Sequence, residues 1–188
     1  GYSQTIASVN DTAGTNYSTN TATSSGVVLT ISGSTPGTFG GVIQDGGSGK
    51  AIGLTLNSSG TLTLTGANTY TVALTVDGAT LTLSGANTYT GTTTLTSGAL
   101  LVGVATSGTL GSITSSAIGA GTLTFNGGTI SSDGGTARTL YNVITFTGDA
   151  TIGYSTYTGS LTFGGAAGLG SSTRTVTVNT STTAQFDG

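Results

Sequence analysis

The chain has no cysteine, histidine, methionine or tryptophan, and Pro36 is its single proline. Without cysteine there is neither a disulfide nor a thiolate metal site. Without histidine or cysteine, no serine or threonine has a conventional base to activate it as a nucleophile. Charge is almost as scarce, at 5% of residues: Lys50, Arg138 and Arg174 stand against six aspartates and no glutamate, for a net charge of −3. The three cations are scattered and form no basic stripe along which a phosphate backbone would run, which argues against a nucleic-acid partner. No apolar run approaches the ~20 residues of a membrane-spanning helix, so no transmembrane segment is expected. The chain opens on Gly1 rather than Met, without a basic and apolar leader pattern, and is expected to be a processed chain or a fragment.

What is present is glycine, 34 of 188 residues, with abundant threonine, serine and asparagine. A glycine-rich, charge-poor chain is compatible with disorder. Apolar residues at regular alternating positions argue otherwise, because they supply burial that a disordered chain lacks. The pattern is clearest at residues 60–71, GTLTLTGANTYT, and 79–90, ATLTLSGANTYT, which are identical at ten of twelve positions with an offset of 19. A fixed period near 20 is the signature of a solenoid, in which one coil cannot bury its apolar face alone. Leu62 and Leu64, and again Leu81 and Leu83, alternate with threonine, which is a strand period with the leucines facing one way.

The expected fold is therefore all-β, a parallel β-solenoid whose coils each hold about three short strands. About nine coils are expected, a rod roughly 40–45 Å long at the ~4.8 Å spacing of stacked strands. Equivalent residues then lie above one another. Leu62 over Leu81 and Leu64 over Leu83 are expected as interior stacks, Asn68 over Asn87 as an amide ladder at a corner, and Tyr70 over Tyr89 as an aromatic stack. These eight are the candidate structural ladder. Residues 1–25 form an irregular arm or cap that is able to donate a strand to another subunit, and 26–188 form the solenoid. Residues 26–32, GVVLTIS, open it. Later strands are expected at Leu123–Phe125, Thr129–Ile130, Val143–Phe146, Thr151–Ile152, Leu161–Phe163 and Val176–Val178.

GTLTLTGANTYT, ATLTLSGANTYTGTTTLTSGALLV and FGGVIQDG resemble the autotransporter-associated β-strand repeat of bacterial autotransporter passengers. Gly60, Leu62, Leu64, Gly66, Asn68 and Tyr70 match that motif, as do Leu81, Leu83, Gly85, Asn87, Tyr89, Gly91, Thr93, Gly98 and Leu100. Val72-Ala73-Leu74 departs from it, standing where the motif has Gly-x-Thr. The resemblance implies a right-handed parallel β-helix exported to the bacterial cell surface.

Candidate sites have to be weighed against turn chemistry. Asp11, Asp45, Asp77, Asp133, Asp149 and Asp187 are well spread, and Asp45, Asp77 and Asp133 each precede glycine, a turn signature. Asp133 and Asp149 are the one pair able to approach across a coil, yet a β-helix glycosidase or lyase needs clustered carboxylates. Residues 45–50, DGGSGK, lack the Ser or Thr after Lys50 and the helix that a phosphate loop requires. No catalytic, metal or cofactor site is expected, and no enzyme. The four Asn-x-Ser/Thr matches, at Asn10, Asn16, Asn57 and Asn179, are of the kind chance produces in so Asn- and Thr-rich a chain. The threonine rows Thr61/Thr63/Thr65, Thr80/Thr82 and Thr92/Thr93/Thr94 are ordinarily the outward polar residues of half-buried strands. Their alternative is a flat array that binds ice or carbohydrate, which they resemble only locally because the rows fade after Thr96.

The expected function is a non-enzymatic extracellular element: a surface passenger, stalk or filament subunit in adhesion, biofilm or matrix. Its expected partners are copies of itself, joined head to tail or through the N-terminal arm, and surface glycans or host and matrix components.

Overall fold

Each leucine–threonine segment is a short strand, and each pairs in parallel with the equivalent segment one turn later. The computed structural model describes residues 4–6, 17–19, 26–46 and 48–188. The first sheet stacks Gln4–Ile6, Val27–Ile31, Ile52–Asn57, Leu74–Asp77, Thr93–Leu95, Leu123–Phe125, Ile144–Phe146 and Ala167–Gly168 in chain order. The second stacks Gly37–Phe39, Thr61–Leu64, Thr80–Leu83, Ala99–Val102, Thr129–Ser132, Ala150–Ile152 and Val176–Val178. In the later turns a third sheet appears, Arg138–Leu140, Leu161–Phe163 and Ala184–Phe186. Chain order equal to spatial order, with every one of these pairings parallel, is the connectivity of a coil wound repeatedly on itself. The described residues contain no helix.

The chain winds about seven turns, not nine, since the second sheet has seven strands. A uniform turn of 19–20 residues holds only in the middle. The corner at Ile43 recurs after 25 residues at Asn68, then after 19 at Asn87 and 30 at Ala117. The longest turn carries an antiparallel hairpin, Ser107–Thr109 with Ser112–Ser115, that stands off the coil. Extra residues leave the core on such excursions, so length overstates the number of turns. Of residues 1–25, Gln4–Ile6 pairs with Val27–Ile31 and Tyr17–Thr19 with Val42–Gln44. The rest of the expected arm lies outside the described residues.

The interior is built of columns. Leu62, Leu81, Leu100, Ile130 and Ile152 occupy one register position, and Leu56, Val76, Leu95, Phe125 and Phe146 another. All ten are buried. Each fully buried side chain of this kind stabilises by about 1.5–3 kcal/mol. Aromatics continue the columns late in the chain: Phe125 stacks on Phe146 and Phe163 on Phe186, both at 5.0 Å between ring centroids. At the corner, coils approach too closely for a side chain. A methyl group at Gly85 would overlap the carbonyl of Gly66, and one at Gly66 the carbonyl of Gly41. Glycine is required there by contact, since a Cβ would be driven into backbone.

Candidate functional site

The corner that follows each second-sheet strand in the repeat buries its polar groups. Asn68 and Asn87 are buried, at 1% and 0% exposure. Burying an amide without partners is costly, and both residues are fully engaged. The Asn68 side-chain oxygen accepts from the Ile43 backbone N–H at 2.8 Å. The Asn87 Oδ1 accepts from both the backbone N–H and the Nδ2 of Asn68, each at 2.8 Å. The Asn87 Nδ2 in turn donates to the carbonyls of Ala117, at 2.6 Å, and Gly85, at 3.1 Å. Each amide thus accepts from the earlier turn and donates to the later one. The column is carried on by Ser116, whose hydroxyl lies 3.4 Å from Asn142 Oδ1, and by Asn142, whose Nδ2 donates to the carbonyls of Gly119 and Gly121.

Two residues further along, Tyr70 and Tyr89 are buried with rings 4.6 Å apart and 10° from parallel. Such stacking contributes about 0.5–1.5 kcal/mol beyond area burial. The Tyr89 hydroxyl is 2.8 Å from Thr93 Oγ1, and Thr93 also donates to the Ile118 carbonyl. Burial pushes both phenols well above the ordinary tyrosine range. The neighbouring Tyr89 raises Tyr70 further, while the Thr93 bond partly offsets the effect on Tyr89. Leu62 pairs in register with Leu81, and Leu64 with Leu83, all four buried. The eight ladder residues therefore form one wall of two stacked turns. Asn142, Ser116 and Thr93 join the same corner. Asn142 lies in Leu140-Tyr141-Asn142, which lacks the Gly-x-Asn-x-Tyr frame that marks the other two.

Asp45, Asp77 and Asp149 act as clips between turns. Asp45 accepts from the Thr71 hydroxyl at 2.6 Å, from the Thr71 N–H and from the Ile52 N–H. Asp77 accepts from the Ser97 hydroxyl at 2.7 Å, and Asp149 from the Thr175 N–H at 2.9 Å. Asp133 forms an ion pair with Arg138 at 3.2 Å, partly exposed on both sides. An exposed pair of this sort is worth at most about 1 kcal/mol. Asp133 and Asp149, the pair singled out by sequence, thus have separate partners. Among the described residues, no three His, Cys, Asp or Glu side chains come together.

Beside the hairpin runs an open groove of about 610 Å³, lined by Leu110, Ile113, Tyr141 and Val143 among others. Its polar side-chain groups are the hydroxyls of Ser112, Thr122 and Tyr141, set among apolar and small residues. The threonine rows resolve into two surfaces. Thr61 pairs with Thr80 and Thr63 with Thr82 on the second sheet, whereas Thr94 belongs to the first. Thr93 is buried and belongs to the corner. The first-sheet column does not fade after Thr96: Thr94 continues to Thr124 and Thr145.

With this geometry in hand, comparison with known proteins adds one finding. The passenger-associated-transport-repeat family model matches twice, over residues 54–81 and 74–102. No curated protein and no solved structure matches the chain. The two matches cover the turns that hold the Asn68–Asn87 and Tyr70–Tyr89 pairs, and they fit a structural role in a passenger whose family is secreted to the cell surface. Residues 54–102 thus match the passenger-associated-transport-repeat, and the parallel β-solenoid of which they form the middle turns is consistent with an autotransporter passenger repeat.

Proposed function

We propose that this chain is a non-enzymatic part of a surface passenger: a stiff rod that spaces adhesive or matrix-building surface away from the cell. The observation that carries the reading is the pair of matched repeats fused into one continuous stack of buried columns. Seven turns at ~4.8 Å per rung give a rod roughly 30 Å long, stiffened by the amide and aromatic ladders. Asp45, Asp77 and Asp149 spend their carboxylates on bonds between turns, which supports a structural rather than a catalytic use of the few charges present. In this reading the rod associates with copies of itself, end to end or through the N-terminal arm, and meets glycans or matrix components at the surface.

Immunogold electron microscopy of cells producing the native protein tests it. Label on the outer surface, in rods or filaments, is the expected result. Label confined to the cell interior overturns the surface role. Dispersed monomers at high concentration in purified material overturn the self-association.

A further inference from the structure

The first sheet presents one uninterrupted threonine column to its outer side. Thr30 pairs with Thr55, Thr55 with Thr75, Thr75 with Thr94, Thr94 with Thr124, and Thr124 with Thr145. No register shift interrupts these pairings, so successive hydroxyls follow one another at the ~4.8 Å rung spacing. All six side chains are half-buried, as expected of residues standing side by side on a sheet. Threonine is stiff at χ1 because it is β-branched, so each rung presents its methyl and its hydroxyl in a narrow range of orientations. Behind them stand the buried columns headed by Leu54 and Leu56, which leave the sheet little room to flex. The array is thus organised before any ligand arrives, which lowers the entropy lost on binding.

We propose that this ladder is an ice-binding surface. A hydroxyl donates or accepts as its neighbour requires, and a methyl beside each one covers water that is poorly bonded. Such a row, repeated at a spacing close to that of oxygen atoms on a face of hexagonal ice, fits a periodic, uncharged solid made of water. Many weak contacts at fixed intervals then add as a multivalent attachment. Two other ligand classes fit less well. The column has no aromatic ring on which a sugar would stack, and no cation for a polyanion. The inference goes beyond the structural reading above and stands or falls separately from surface display.

The test uses the purified full chain, measured for thermal hysteresis and for inhibition of ice recrystallisation. Thr94→Tyr interrupts the ladder at mid-length. Thr82→Tyr makes the same change on the second sheet, in the row that pairs Thr63 with Thr82. Circular dichroism establishes that all three proteins are folded. Activity in the parent and in Thr82→Tyr, lost in Thr94→Tyr, is the expected result. A folded parent without activity overturns the proposal. So does equal loss in both variants, and so does retention on crystalline cellulose or chitin without any effect on ice.

Discussion

Replacing Asn87 with alanine removes a buried side chain that makes four hydrogen bonds. Four groups lose a bond: the Asn68 N–H, the Asn68 Nδ2, the Ala117 carbonyl and the Gly85 carbonyl, the last of which keeps the Asn87 N–H. A buried polar group left without its partner costs about 1–3 kcal/mol. Allowing for partial relaxation, and because Nδ2 of Asn68 keeps its bond to Gly66, the expected loss is about 3–6 kcal/mol. That is a large part of the roughly 5–15 kcal/mol that holds a typical domain folded. Urea unfolding followed by circular dichroism reads it directly. At about 2 kcal/mol per molar, the midpoint falls by roughly 2 M. The exposed neighbour Thr88→Ala is the control and is expected to leave the midpoint unchanged. Hydrogen exchange adds a local reading, with the Asn68 amide losing protection before its neighbours. A midpoint for Asn87→Ala equal to that of Thr88→Ala, with the Asn68 amide still protected, would refute the reasoning.

Other changes test the remaining supports. Gly85→Ala drives a methyl into the Gly66 carbonyl and is expected to prevent folding or to destabilise severely in a thermal melt; Gly134→Ala, which meets open space, is expected to be neutral. Leu83→Ala empties a site of 0% exposure and is expected to cost about 2–5 kcal/mol in the same urea titration. The buried phenols set an alkaline limit. Their folded pKa values lie above the unfolded one, so the stability they allow is complete below about pH 10 and lost as pH rises beyond it. Each contributes a slope of about 1.4 kcal/mol per pH unit, and Tyr70→Phe with Tyr89→Phe should flatten the alkaline unfolding curve. Ordinary titration of both phenols in a protein that keeps its circular dichroism would contradict this.

The two near-identical segments carry the fold openly. When a motif recurs at constant offset, stacking must superpose its members, and that superposition places Leu62 on Leu81, Asn68 by Asn87 and Tyr70 on Tyr89. Where the offset drifts, the sequence says less. The hairpin at 107–115 is serine- and glycine-rich, exposed and without apolar alternation, so neither its strands nor the lengthened turn stands out. Arg138–Leu140 begins a third sheet with one buried apolar residue, too little signal for a strand. The threonine rows misled for a geometric reason. Alternation along the chain separates inside from outside but does not say which sheet a strand joins. A corner at Gly78 puts Thr75 and Thr80 on different faces, and Thr93, beside Thr94, turns inward to meet Tyr89.

The central claim is that position along the rod is counted in turns rather than in residues. Because the chain has no native cysteine, spin labels go only where cysteines are introduced. The pairs Thr55→Cys with Thr94→Cys and Thr94→Cys with Thr145→Cys are each two rungs apart, although a longer stretch of chain separates the second. Electron paramagnetic resonance should return the same backbone separation for both, about 10 Å at two rungs of ~4.8 Å. Separations that differ, or that grow with the length of chain between the labels, would contradict the stacked coil.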